Sequence, residues 1–273
     1  MFDLQRITTQ SLDLVSRVVD ALVTNSGADD ASIMVIGAHC RDLLHASFGR
    51  ADLLRATSDV DIGIAVDGDA RYRQIVSSFP RSGTTEIRHT IAGVSVDVVP
   101  FGDIEDPAGT TVLSSRRDSL DVFGFREVFG CSQEVLLPSG NRVRIPTPAG
   151  YTALKLKAWC DRSSHGEYKD AGDIAIACGW YQEDGEVHAS LYAQRTDLLL
   201  RADLDLDVAT LLLLGEEVSD VLGSSRVEEL SAAWRQSNPE LLVEYFARQR
   251  SRTRPDHAAA HRAIEGLTAF LSS

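Results

Sequence analysis

The residues best suited to chemistry lie in the segment Arg55-Ala56-Thr57-Ser58-Asp59-Val60-Asp61. Asp59 and Asp61 open an apolar run, DVDIGIAV, that reads as a strand over 59–66. A period of two puts both side chains on one face of a sheet. Two carboxylates that close repel each other, and a divalent cation between them relieves the repulsion. Hard oxygen donors of this kind suit Mg²⁺, with Mn²⁺ as a substitute. Asp97 is a third carboxylate, in the middle of the apolar run VSVDVVP, where a lone charge is costly unless it is paired or bound to metal. If that strand lies beside the first, three carboxylates converge, the arrangement with which two metal ions clamp an in-line phosphoryl displacement. The plainer reading of the Asp pair alone is a solvated turn at a strand start.

The elements that must position these residues follow from apolar periodicity. Residues 3–24 carry Leu4, Ile7, Leu12, Val15, Val18, Val19 and Leu22 at helical spacing, ended by Asn25-Ser26-Gly27. Ala31–Ile36 is a continuous apolar run, expected to be a strand buried on both faces. Gly37-Ala38 is then a turn, and His39–Phe48 a helix. Arg71–Phe79 reads as a helix, and Glu86–Ile91 and Val94–Val99 as strands joined by a hairpin turn at Ala92-Gly93. Pro100 is expected to stop the second of these. Residues 120–146 read as two or three short strands around a turn at Leu137–Asn141. Beyond Pro146 and Pro148 the pattern is helical, over 149–162, 168–180, 186–200, 206–222, 225–235, 239–250 and 256–272. The expected architecture is α/β: a mixed-sheet N-terminal domain over 1–147, followed by a helical domain over 148–273.

Composition bounds the function. The chain has 273 residues, 44% hydrophobic and 25% charged, which is globular composition. Its 27 Lys and Arg against 40 Asp and Glu give a net charge of −13, which excludes coating nucleic acid by bulk charge. A basic stretch remains at Arg248–Arg254, which reads as an RNA backbone patch or as a solvated helix end. Cys40, Cys131, Cys160 and Cys178 make no CxxC pair, so reduced thiols in a cytoplasmic protein are expected. No signal peptide and no membrane span is legible, so no membrane partner is expected. Trp159, Trp180 and Trp234 are expected in the core. His257 and His261 have ligand-like spacing but no third partner, and read as a solvated helix face.

The motifs IGAHCRDLL, RATSDVDIGIAV and VDVVPFG, with ALKLKAWCDR and YKDAGDIAI further on, resemble those of the DNA polymerase β-like nucleotidyltransferase superfamily, and within it the AbiEii/MenT-like toxin branch. The resemblance covers residues 36–102 and 153–176; residues 180–273 carry none of its motifs. It implies that Gly37 and Ala38 let backbone N–H groups approach the nucleotide phosphates, at the N-terminus of the helix opening near His39. Ala38 stands where many relatives have Ser, which removes one hydroxyl contact. Arg41 would reach the phosphates, or else face solvent. Thr57 and Ser58 would bond a phosphate oxygen, or else serve as ordinary turn hydroxyls. Asp59 and Asp61 would hold both metal ions, and Asp97 would complete the catalytic one and help deprotonate the acceptor hydroxyl.

The resemblance also gives Lys155 a nucleotide-phosphate contact, against snorkelling from an apolar helix face. Lys157 competes for that role but lies some 200° around the helix, and motif alignment favours Lys155. Asp170 and Asp173 share a helical face. Asp170 matches the branch's late acidic motif and would orient Lys155 or Arg162 by a salt bridge, or else complement the helix dipole. The implied activity is Mg²⁺-dependent transfer of a nucleoside monophosphate from an NTP to an acceptor hydroxyl. The implied acceptor is a tRNA 3′ end, and the implied role is that of a toxin with a cognate antitoxin. Two alternatives stay open. One is a small acceptor such as an aminoglycoside, which the acidic charge would steer inward. The other is a non-catalytic nucleotide- or partner-binding module of the same fold.

Overall fold

The computed structural model describes residues 3–51, 54–55, 57–113, 119–250 and 256–272. The chain divides into two compact units between Thr147 and Pro148. In the first, the order is α1 (Thr9–Ser26), β1 (Ile33–Ile36), α2 (Gly37–Ser47), β2 (Asp59–Val66), α3 (Asp69–Val76), β3 (Arg88–Ile91) and β4 (Val94–Gly102). There follow β5 (Thr110–Val112), β6 (Ser119–Asp121), α4 (Phe125–Cys131), β7 (Gln133–Leu136) and β8 (Arg142–Ile145).

Six strands form one mixed sheet in the order β3-β4-β2-β1-β8-β7, while β5 and β6 pair separately. β1 runs antiparallel to β2 and parallel to β8, and β2 runs parallel to β4. β1 sits inside the sheet and is buried along its whole length, as its unbroken apolar run demands. α1 has Leu12, Val15, Val18, Val19 and Leu22 buried on one face, and Gly27 closes it with a φ of 65°. It begins at Thr9, later than periodicity alone suggests. The Thr8 side chain accepts from the Ser11 N–H, and a separate 3₁₀ turn precedes it at Leu4–Arg6.

Pro100 does not end its strand, which runs on to Gly102. The Val98 N–H donates to the Ile87 carbonyl, on the side away from β2. Pro100, two residues on, directs its nitrogen to the same side, where β3 no longer pairs with β4 because that ladder covers only Val94–Asp97. A missing donor there costs no ladder bond. The other departure is α4, a helix inside the stretch expected to hold only strands.

The second unit is helical: α5 (Pro148–Arg162), α6 (Lys169–Gln182), α7 (Gly185–Ala193), α8 (Thr196–Arg201), α9 (Leu206–Gln236), α10 (Pro239–Arg250) and α11 (His257–Thr268). α9 is its spine, in contact with α5, α6, α7, α8 and α11. The two helices expected at 206–222 and 225–235 are joined across a kink at Gly223. The single helix expected at 186–200 is two, broken at Arg195, whose φ of −120° and ψ of 39° are not helical. Trp159 and Trp180 are core residues, whereas Trp234 is only half-buried. Among the described residues no helix is long and apolar enough to cross a membrane.

Candidate active site on an acidic sheet face

β2 and β4 alternate burial along their first halves. Val60, Ile62, Val96 and Val98 are buried, while Asp59, Asp61 and Asp97 lie on the other, half-exposed face. The parallel ladder sets Asp61 directly beside Asp97, with Asp59 beside Ser95. All three carboxylates therefore share one side of the sheet, as the two-residue period requires.

Gly37 enters this face from the end of β1, where Ile36 pairs with Asp61. Its φ is 64°, and a Cβ there would stand 2.0 Å from Asp61 Oδ2. Only a glycine lets the backbone turn so close to the carboxylate. α2 starts at Gly37 itself, without a separate turn, and Ile36 supplies no side-chain cap. Ala38 and His39 thus fall in the first turn of α2. His39 is half-buried, its Nδ1 has no hydrogen-bond partner among the described residues, and burial pulls the ring's basicity below the ordinary imidazole value.

Ser58 donates to Asp59 Oδ1 at 2.6 Å, and Thr57 Oγ1 lies 3.4 Å from both the N and the O of Asp59. These hydroxyls are engaged with Asp59. Arg41 is not at the surface. It is almost fully buried, with Nε and Nη2 donating to Asp42 Oδ1 at 2.9 and 2.7 Å. Nη2 also donates to the Arg55 carbonyl at 2.8 Å. Its visible task is to brace the chain leading into β2.

The residue that sequence reasoning missed is Arg88. It lies opposite Asp97 in the antiparallel β3–β4 ladder, hence on the acidic face. Its Nε and Nη2 reach Asp97 Oδ1 and Oδ2, each at 2.7 Å, in a bidentate fork. Nη2 also stands 3.4 Å from Asp59 Oδ2. The hydrogen bonds and charge of Asp97, with weaker help from Asp59 and Asp61, raise the guanidinium's basicity further above its ordinary value. The only sequence signal was an Arg at the far side of the Ala92-Gly93 turn, and its partner depends on the hairpin register.

Among the described residues no group of three or more His, Cys, Asp or Glu side chains is gathered closely enough to hold a metal ion. Here Asp59 and Asp97 flank a guanidinium. The donor set nonetheless fits a hard divalent ion: three carboxylates from two adjacent strands, on a face that solvent reaches.

The helical unit holds a second cluster. Lys155 Nζ on α5 lies 2.6 Å from Asp173 Oδ2 and 3.2 Å from Asp170 Oδ1, both on α6. Arg162 Nη1 lies 3.3 Å from Asp170 Oδ2. Asp170 is wholly buried and Asp173 nearly so, so both carboxylates need these cations. Lys157 points elsewhere and pairs with Asp161 at 2.8 Å. Of the basic stretch, Arg248 pairs with Glu244, and residues 251–255 lie outside the described residues. His261 is exposed between Glu240 and Glu265.

No family model matches this chain, and no curated protein matches it.

Proposed function

We propose that the chain is a divalent-metal-dependent nucleotidyltransferase of the DNA polymerase β-like superfamily, acting in the cytoplasm. It would move a nucleoside monophosphate from an NTP to an acceptor hydroxyl, the new phosphoester forming as the α–β anhydride breaks and pyrophosphate leaves, with a tRNA 3′ end as acceptor and a toxin role held in check by an antitoxin. One observation carries the reading. Asp59, Asp61 and Asp97 share one sheet face, with the Gly37 backbone turned against Asp61. Asp59, Asp61 and Asp97 would hold Mg²⁺, which when bound supplies charge neutralisation for the phosphoryl group and acidifies the acceptor hydroxyl. Asp97 orients that hydroxyl and takes up its proton. Gly37 and Ala38 offer backbone N–H groups to phosphate oxygens. Lys155 is held by Asp170 and Asp173 within the helical unit.

The test is transfer of label from α-labelled NTPs, with total tRNA in one arm and aminoglycosides in the other. Asp59→Ala and Asp97→Ala should each lower the Mg²⁺-dependent rate at least a thousandfold, with circular dichroism unchanged. Transfer by Asp59→Ala at the wild-type rate would refute the metal assignment. A small cationic acceptor is the second reading, and the net charge of −13 favours it. Label on the aminoglycoside and none on tRNA would select it.

A further inference from the structure

Arg88 occupies the ground that a divalent ion would need. Its fork takes both oxygens of Asp97, and Nη2 reaches on to Asp59. Asp59 Oδ1 is meanwhile held by Ser58. A divalent ion binds carboxylate oxygens at about 2.0–2.1 Å for Mg²⁺. The fork takes one lone pair on each Asp97 oxygen and leaves the other, but its positive charge, set against Asp97 and Asp59, repels a cation brought to the same oxygens. Closing the fork and binding the ion therefore oppose each other.

The structure leaves room for that movement. β3 is the edge strand of the sheet, and the Arg88 side chain is about a third exposed. Its aliphatic stem runs past Gly83, where a Cβ would stand 3.3 Å from Arg88 Cδ. The far end of the stem is thus packed, while the side chain as a whole stays partly open to solvent.

We infer that Arg88 is the resident counter-cation of the acidic face and competes with the divalent ion for Asp97 and Asp59. It is a positioning residue, acting through those two carboxylates. It offsets one of their two negative charges without metal, and lowers the apparent metal affinity by the fraction of time the fork is closed. This rests on the metal reading given above. A merely structural arginine makes the opposite prediction, because its loss would loosen the carboxylates and weaken ion binding.

The experiment is Mn²⁺ titration of the metal-stripped full chain, following free Mn²⁺ by electron paramagnetic resonance, with no nucleotide present. Arg88→Met should bind Mn²⁺ at least tenfold more tightly than wild type. Arg88→Lys, which keeps a charge but loses the fork, should fall between them. Thermal melts followed by circular dichroism check that each variant is folded, and Asp97→Ala marks the site-dependent signal. Equal or weaker binding by folded Arg88→Met, with wild-type binding intact, would overturn the competition and spare the metal reading. If neither wild type nor either Arg88 variant binds Mn²⁺ in a manner that Asp97→Ala removes, the metal reading fails and this inference with it.

Discussion

A methyl group at residue 37 would stand 2.0 Å from a carboxylate oxygen of Asp61, at a φ of 64°. Either feature alone disfavours a side chain. The left-handed conformation costs a non-glycine residue about 1–3 kcal/mol, and the overlap forces Asp61 or the turn to shift. Gly37→Ala is therefore expected to lower stability by roughly that amount in urea unfolding, and to abolish Mn²⁺ binding by moving Asp61. An alanine variant with wild-type stability and wild-type binding would show that the turn is free to relax. At this scale the sequence was informative wherever the cause is local. The face shared by Asp59 and Asp61 follows from the strand period, and the break between strand and helix from the Gly after an apolar run, although the helix begins at that Gly rather than after a turn. Arg88 and Arg41 were opaque for a common reason: their partners are fixed by the fold around them. Arg88 meets Asp97 through hairpin register, and Arg41 meets the Arg55 carbonyl across a loop fourteen residues on.

Among elements, β2 occupies the span its apolar run indicates, Asp59–Val66, because alternation and apolarity agree there. The helical unit was less legible. Its leucine-rich stretches are apolar on more than one face, so periodicity fixes helix without fixing every break: the kink at Gly223 falls between the two helices expected there, whereas the break at Arg195 has no Gly or Pro to mark it. How α6 and α9 meet carries a measurable consequence. Tyr181 on α6 donates a short hydrogen bond to Glu217 on α9. Burial pushes the Glu217 carboxyl above its usual range, against the pull of the Tyr181 bond and Arg195. The Tyr181 phenol is raised well above its own ordinary value by burial, so it remains a donor. The folded chain thus binds the Glu217 proton more tightly than the unfolded chain does. Stability from this group is full below the unfolded carboxylate value of about 4.3 and falls as pH rises through the folded one. Glu217→Gln keeps an acceptor for Tyr181 and removes the titration. Its melting temperature should match wild type near pH 4 and exceed it increasingly toward pH 8; a difference constant across that range would remove Glu217 from the pH dependence.

At the scale of the whole molecule, acidic residues outnumber basic ones in both halves, 20 against 14 in residues 1–147 and 20 against 13 in 148–273. Neither unit is a general polyanion binder, so any recognition of RNA has to be local. The division between Thr147 and Pro148 also separates the proposed chemistry. Asp59, Asp61, Asp97, Arg88 and Gly37 all belong to the first unit, whereas Lys155, Asp170 and Asp173 belong to the second. The first unit has its own six-stranded sheet and its own buried residues, among them Val15, Leu22, Met34, Ile62, Ile64 and Val98, as a separately folding domain requires. A fragment of residues 1–147 is therefore expected to melt cooperatively and to bind Mn²⁺ within about threefold of the full chain, since every residue assigned to the ion is present. Metal affinity in the fragment far below that of the full chain would mean that the acidic face is not self-sufficient.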